Sequence, residues 1–488
     1  MFTVIYAATA LFAAALLLSA SFWLTATFGR VEADQILFQA RVPAKGADPG
    51  LVRSFLTRCL APAAAAAAAA GWAAPILRRC LAVFLPQALL FTLPLLPVAA
   101  AAVFFFQRFG FFAFGRAAAG KSALIAGHYC RPAAGDIVFP ARKRNLLYIF
   151  LESMESSFTG PEAGGALPGN VIPELTRLAA AGINFSHTDG LGGAAAVRHT
   201  GWTAAGMCAH HAALPLIVPA GAQVHTPGAP FLPGALTLGD VLAAAGYNQT
   251  LLLGSDAAYS GRANFYTRHG RFRILDLHTA AADGIMEPAH RVRWGFEDEK
   301  LYAYAQKELR RLAAAGAPFH LTMLTVDTHT PGGYLCPLCP RLWPQRYLNV
   351  LACADRQLAA FLRWVQAQDF AGETTIVVVG DHLSMEPSLI PLIDKNYHRT
   401  MFNLFLGSAL PARNHKNRLF TPFDLLPTTL AALGVRLAGE RFGLGVNLFA
   451  GVPTLLETYG PEALNRSLTA RSPFYRQELF RGQNNSFA

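Results

Sequence analysis

Charge is scarce in this sequence: only 15% of its 488 residues are Asp, Glu, Lys or Arg, against 53% apolar. That balance excludes a wholly water-soluble chain, because ordinary globular domains carry about 25% charged residues. The deficit is local. No charged residue falls between Met1 and Gly29, between Cys59 and Leu77, or between Cys80 and Gln107. A helix of about 20 apolar residues spans a bilayer, so the first and third runs predict transmembrane helices. The middle run, "APAAAAAAAAGWAAP", is mostly alanine, which is only marginally apolar, and reads either as a third span or as an interfacial or buried helix. The first run lacks a basic leading region and is long for a cleaved signal peptide, so an uncleaved anchor is expected.

Acidic residues and cysteines are also few. Asp and Glu number 30 against 41 Lys and Arg, a net charge of +11, yet no basic run or recognition motif supports nucleic-acid binding. In a tethered protein such a basic surface suits anionic lipid headgroups. Orientation stays open: Arg78–Arg79 would be cytoplasmic by the positive-inside rule, but Arg30, Arg41, Lys45, Arg53 and Arg58 compete with them. Of seven cysteines, Cys336 and Cys339 form a single "CPLC" shortly before Cys353. A lone CxxC, with no second pair and no thioredoxin-like surroundings, is a poor zinc or redox motif. The expectation is a disulfide from this loop to Cys353, hence an oxidising compartment, with free thiols as the alternative.

From about residue 140 the pattern changes to amphipathic helices alternating with apolar strands. The helix "PELTRLAAAG" (173–182) precedes "INFSH", and "TLGDVLAAAG" (237–246) precedes "YNQTLLLGSD". Likewise "LYAYAQKELRRLAAAG" (301–316) precedes "FHLTMLTVDTH", and "CADRQLAAFLRWVQA" (353–367) precedes "TTIVVVGDH". Helix then buried strand, repeated, predicts an α/β domain with a mostly parallel sheet flanked by helices. The expected organisation is a membrane anchor with two or three spans over 1–139, this α/β domain over 140–455, and a C-terminal surface segment over 456–488.

Three of these strands end in polar residues of similar kind. "YIFL" delivers Glu152, "LTMLTV" delivers Asp327 and His329, and "TIVVVG" delivers Asp381 and His382. Parallel strands bring their carboxyl ends to one edge, where α/β proteins bind ligands. Glu152, Asp381 and His382 together offer oxygen and imidazole donors suited to a divalent cation. "VRHTGWTAAGMCAHH" adds Thr200 and Thr203, the latter just before a helical Ala-Ala-Gly-Met run. A hydroxyl at a helix N-terminus is either a nucleophile favoured by the helix dipole and a metal, or simply a cap.

"NLLYIFLESMESSF", "GWTAAGM", "LTVDTHTP" and "VVVGDHLSM", in that order, resemble the motifs of membrane-anchored phosphoglycerol transferases. That group, within the alkaline phosphatase and sulfatase superfamily, includes osmoregulated periplasmic glucan phosphoglycerol transferase I and lipoteichoic acid synthase. The resemblance runs over roughly residues 140–450, through "DLLPTTLAALG" (424–434) and "GLGVNLF" (443–449), and the "TAAGM" and "LESMES" forms lie closer to the glucan enzyme.

The resemblance implies an alkaline-phosphatase-like fold with Glu152, Thr203, Asp381 and His382 as ligands of one divalent ion, Mn²⁺ or Mg²⁺ before Zn²⁺. Thr203 would double as nucleophile, and His329 would contact the substrate phosphate or its leaving oxygen. Asp256 and Arg262, in "GSDAAYSGR", would be headgroup contacts, but the tryptophan of the related pocket is missing at that spacing. The implied reaction moves phosphoglycerol from phosphatidylglycerol to a glycan, a periplasmic glucan first, through a phospho-threonine, at the periplasmic face of a bacterial inner membrane. His199 and His210 are further candidates for carrying protons. Phosphoethanolamine transfer is the alternative, although "LES" differs from its usual first motif. Sulfatase chemistry would need Cys or Ser in a C/S-x-P-x-R context where this chain has "TAAGM", and a non-catalytic binding protein would be expected to lack a ligand.

Overall fold

The computed structural model describes residues 2–83, 86–219 and 221–482. The chain divides into two compact units, one of residues 1–37, 47–116 and 385–387, the other of residues 38–46, 117–384 and 388–488. In the first, three helices among the described residues are long and apolar enough to cross a membrane: Val4–Phe28, Pro49–Leu81 and Leu89–Arg108. The alanine-rich run lies within the second of these, whose 33 residues give it the length of a span.

The second unit starts at residue 117, ahead of the boundary expected at 140, and takes in residues 38–46 as well. Its sheet has seven strands: β1 (Asn145–Leu151), β2 (Gly193–Ala194), β3 (Asn248–Leu253), β4 (Arg273–Leu275), β5 (Phe319–Leu324), β6 (Thr374–Gly380) and β7 (Met401–Leu406). Their spatial order is β2-β7-β6-β1-β5-β3-β4. The five strands from β6 to β4 run parallel, while β7 is antiparallel to β6 and β2 to β7. Helices α1 (Pro173–Ala181), α2 (Thr203–Ala212), α3 (Leu238–Ala244), α4 (Asp298–Ala314), α5 (Arg346–Gln366), α6 (Leu425–Ala432) and α7 (Leu455–Thr469) complete the main framework.

The unbroken apolar run of β1 has a direct cause. Leu146, Tyr148 and Phe150 enter one core, with α2 and α6, while Leu147, Ile149 and Leu151 enter a second core, with α4 and α5. A strand covered on both faces cannot alternate.

Two expectations are corrected. "INFSH" (183–187) forms no strand: Ile183 makes one bridge to Phe405, and then Asn403 Oδ1 accepts from the amide of Phe185 at 2.9 Å. A side chain there takes the place of a strand partner. Nor is the segment after 455 a surface one. Leu464, Leu468, Tyr475 and Leu479 are buried in the first core, and the Tyr475 hydroxyl donates to the carbonyl of Pro215 at 2.7 Å. Amphipathic spacing across the Pro461 interruption in α7 hides this burial from a reading of the sequence; residues 483–488 lie outside the described ones.

Candidate active site

Strand register builds the site. In the β1–β6 ladder Leu151 pairs with Gly380, so the next residues, Glu152 and Asp381, leave the sheet side by side. On the other flank β5 ends at Leu324, opposite Phe150, and the Thr325 hydroxyl accepts from the amide of Glu152 at 3.0 Å. Thr328, three residues on, donates to the Glu152 carbonyl at 2.6 Å. The Glu152 backbone is therefore held from the β5 flank.

Thr203 arrives on α2. Its backbone already has helical geometry, and Trp202 holds the capping position without a side-chain cap, so Thr203 itself is the first helical residue and not the cap. Residues 204–212 are all buried, and α2 passes so close to β6 that a Cβ on Gly206 would fall on the carbonyl oxygen of Asp381. That approach brings the Thr203 hydroxyl 3.2 Å from Glu152 Oε2, to which it donates, and 3.4 Å from His382 Nε2. Thr200, the other hydroxyl of the segment, is buried and donates to Val197 O at 2.7 Å, away from that cluster.

Glu152, Asp381 and His382 place three donor atoms within 4.8 Å of one another, and all three residues are buried. His382 Nε2 lies 3.4 Å from both Glu152 Oε1 and Asp381 Oδ2. Its Nδ1 lies 2.8 Å from the carbonyl of Leu383, which can only accept, so Nδ1 carries a proton and Nε2 is the nitrogen turned to the carboxylates, open to a cation once its own proton is displaced. Asp381 Oδ1 accepts from the amides of Ser153 at 2.8 Å and His382 at 2.9 Å, while the buried Oδ2 accepts no hydrogen bond among the described residues. A buried carboxylate oxygen so aimed, beside a second carboxylate and an imidazole nitrogen, fits a divalent ion. Glu152, Thr203, Asp381 and His382 would hold it.

The electrostatics agree. Burial, with the Glu152 charge next, pushes the Asp381 carboxyl up to about 7. Burial opposes the His382 cation, but Asp381 and Glu152 outweigh it and raise the imidazole to about 10. Glu152 stays ionised: burial works against it, and His329, His382 and the Ser153 hydroxyl hold it below the usual carboxylate range. Around neutral pH the metal-free site therefore retains protons that a cation must displace. Metal affinity is expected to rise with pH from about 6 to about 9, by about tenfold per unit for each proton displaced. Calorimetric titration with Mn²⁺ at several pH values measures this, and a flat affinity would contradict the assignment of His382 and Asp381.

His329 is half-buried and feels Glu152, His382 and Arg293; burial lowers its pKa most, and Glu152 opposes the shift. Its Nδ1 lies 2.7 Å from the carbonyl of Thr330, which leaves Nε2 as the atom that can take or give a proton. Trp294 packs against its ring at 4.4 Å, and Tyr259 packs against Trp294 at 5.5 Å. Arg262 is buried and close enough to interact with the charge of Glu152; its guanidinium donates to Ser255 Oγ, Asp256 O and Tyr259 O. The Asp256 carboxylate lies elsewhere, accepting from the amide of Ala258 and grouped with Asp276 and His278.

His210 does not join the site. It lies on the covered side of the sheet, bonded to the Tyr148 hydroxyl at 2.8 Å, and burial lowers its pKa to about 3. His199 is buried two residues after Val197 with a left-handed backbone, φ 64°. Asp327 is buried, and burial together with Asp298 raises its carboxyl to about 10. Cys336, Cys339 and Cys353 are thiols, so the expected disulfide is not formed: the sulfurs of Cys336 and Cys353 stand 3.6 Å apart, beyond the ~2.0 Å of an S–S bond.

Two supports went unread in the sequence. Ser153, with φ 57°, turns its amide to Asp381 and donates its hydroxyl to Glu152 Oε1 at 2.8 Å. Glu155, the second acid of "LESMES", is buried, ion-paired with Arg399, and accepts from the amide of Ser384 at 2.7 Å, bracing the segment after His382. A carboxylate three residues after Glu152 was the available signal.

The family model described as Sulfatase matches residues 144–435. Phosphoglycerol transferase I of Salmonella choleraesuis (strain SC-B67) is 31% identical over 337 residues, covering 67% of this chain and 41% of the relative. The protein of the same name from Salmonella typhi gives the same figures. The chain thus spans about two fifths of the length of these relatives. Among solved structures, the lipoteichoic acid synthase LtaP from Listeria monocytogenes matches with a TM-score of 0.50 at 18% identity, covering 67% of this chain and 80% of that one. Its fold is shared, and with the family match running over more than half of its length, the chain belongs to the sulfatase family.

Proposed function

We propose that this protein transfers phosphoglycerol from phosphatidylglycerol to a glycan acceptor, a periplasmic glucan first, by way of a covalent intermediate on Thr203, releasing diacylglycerol. The observation that carries this reading is the Thr203 hydroxyl, presented at the first residue of a buried helix 3.2 Å from Glu152 and 3.4 Å from His382. A divalent ion bound there, Mn²⁺ or Mg²⁺ in preference to Zn²⁺ given the oxygen-rich donors, would lower the pKa of that hydroxyl and neutralise phosphate charge.

The remaining steps belong to the side chains. Glu152 Oε2 accepts the Thr203 hydrogen bond and orients Oγ1 for attack on phosphorus. The α2 amides favour negative charge at the helix start. His329, neutral at the start, takes through Nε2 the proton that Thr203 gives up and delivers it to the diacylglycerol oxygen as the ester bond breaks, leaving glycerophosphate on Thr203. The neutral imidazole then takes the proton of the acceptor hydroxyl, which attacks the same phosphorus, and returns it to Thr203 Oγ1 as that oxygen leaves. Its lowered pKa suits the second role.

Charge near the site favours glycerol over ethanolamine as the headgroup. The guanidinium of Arg262 lies within the field of Glu152 and that of Arg293 within the field of His329. Two cations repel an ammonium and tolerate hydroxyls. The test is a donor comparison in mixed vesicles: diacylglycerol release from phosphatidylglycerol is expected to exceed that from phosphatidylethanolamine by at least about tenfold, the factor that about 1.4 kcal/mol of repulsion would give. Preference for phosphatidylethanolamine would establish the alternative transferase.

A lipid donor also explains the three apolar helices, which keep the catalytic unit at the bilayer. We place that unit on the periplasmic face of the inner membrane. Protease added to spheroplasts is expected to degrade it; protection until lysis would put it in the cytoplasm.

A further inference from the structure

Three cysteines converge outside the transfer site. Cys336 and Cys339 lie on the loop that follows His329, and Cys353 lies on α5. Cys336 Sγ stands 3.5 Å from Cys339 Sγ and 3.6 Å from Cys353 Sγ, and all three sulfurs fall within 4.8 Å of one another. Sulfurs sharing one tetrahedral ion at ~2.3 Å would stand about 3.8 Å apart, whereas a disulfide draws two together and leaves the third without a partner. Two spacings of 3.5 and 3.6 Å, with the third within 4.8 Å, match the ion.

The surroundings suit a thiolate at Cys353. Cys336 and Cys353 are 4% and 2% exposed, and Gln357 Nε2 donates to Cys353 Sγ at 3.3 Å and approaches Cys336 Sγ at 3.9 Å. The amide of Cys339 bonds back to the Cys336 carbonyl at 3.0 Å, folding "CPLC" into a turn that faces both sulfurs toward the helix. Arg356, one helical residue from Gln357, donates to the carbonyl of Leu338 within that turn at 2.7 Å, bringing a positive charge to the cluster. Three thiolates and a divalent ion leave one net negative charge, which Arg356 offsets.

We propose that Cys336, Cys339 and Cys353 bind one thiophilic d¹⁰ cation, zinc(II), and that this ion ties the loop after His329 to α5. Binding releases the thiol protons, and three sulfur ligands leave the fourth position of the ion to solvent. The same loop already holds the amide of Tyr334 to Asp327 O at 2.7 Å and receives Arg293 at Gly333 O at 2.9 Å, both near His329. The ion would act as a clamp on the wall of the transfer site.

The full chain in detergent, reduced and then loaded with Co²⁺, tests this independently of the Glu152 cluster. A sulfur-to-cobalt charge-transfer band is expected in the wild type and in His382→Ala, and is expected to be lost in Cys339→Ser. Zinc analysis after loading and washing should give one more equivalent per chain in His382→Ala than in the Cys339→Ser/His382→Ala pair. Zinc should raise the melting temperature of His382→Ala but not of that pair. Absence of the thiolate band from a wild-type chain whose three thiols titrate as free would overturn the proposal, whatever becomes of the transfer reading.

Discussion

Replacing Thr203 by Ala is expected to abolish transfer, a loss on the order of 10⁴-fold or more, the scale seen when a nucleophile that works as part of a catalytic unit is removed. The fold should survive. Thr203 is only partly buried, its helix is capped by Trp202 without side-chain help, and its hydroxyl serves no backbone group. Alanine is also the best helix former, so the first turn of α2 is kept. Loss of activity without a loss of melting temperature would separate a chemical role from a structural one. A variant retaining more than about a tenth of wild-type activity would exclude Thr203, because no general-base effect alone leaves so little for the nucleophile to do.

Asp381→Asn is expected to lower activity by at least about 10²-fold, more than the loss of a group that merely orients a metal ligand. The same substitution should stabilise the metal-free protein. Asp381 is raised in the folded state to about 7, above the ordinary 3.8, chiefly by burial and then by Glu152. A carboxyl with a raised folded pKa contributes stability that is full below about 4 and is lost as pH rises through about 7. Asparagine removes that loss while keeping an oxygen for the amides of Ser153 and His382. Thermal unfolding in chelator at pH 8 is therefore expected to show a higher melting temperature for the variant, with the gap closing by pH 4. A lower melting temperature at pH 8 would mean that the carboxylate is a structural acceptor and not a charge waiting for a cation.

The parts of the site that could be read from the sequence are those tied to strand ends. Glu152, Asp381 and His382 each follow an apolar run, and parallel pairing then fixes their meeting, since Leu151 opposite Gly380 decides what comes next. Thr203 was legible because a hydroxyl stood before a run of helix formers. Trp294 was not, because it reaches His329 from a loop with no periodic pattern and no fixed spacing from either. Ser153 gave no sign because its role lies in a left-handed backbone that serine seldom adopts. His210 misled in the other direction: its place on α2 puts it on the face turned to Tyr148 and Phe150, a matter of one hundred degrees per residue that only the packing of α2 resolves. The mistaken strand at residues 183–187 has a similar origin, since Asn184 and Asn403 satisfy backbone groups through side chains and leave the apolar pattern intact.

The central claim is that Thr203 becomes covalently loaded. The most direct test is the intact mass of the purified chain after incubation with phosphatidylglycerol and Mn²⁺ in the absence of any acceptor, beside Thr203→Ala. A glycerophosphoryl adduct on the wild type alone, removed when a glucan is added, is the predicted result. An unmodified wild type that still releases diacylglycerol and transfers phosphoglycerol, or an adduct that persists in Thr203→Ala, would contradict it.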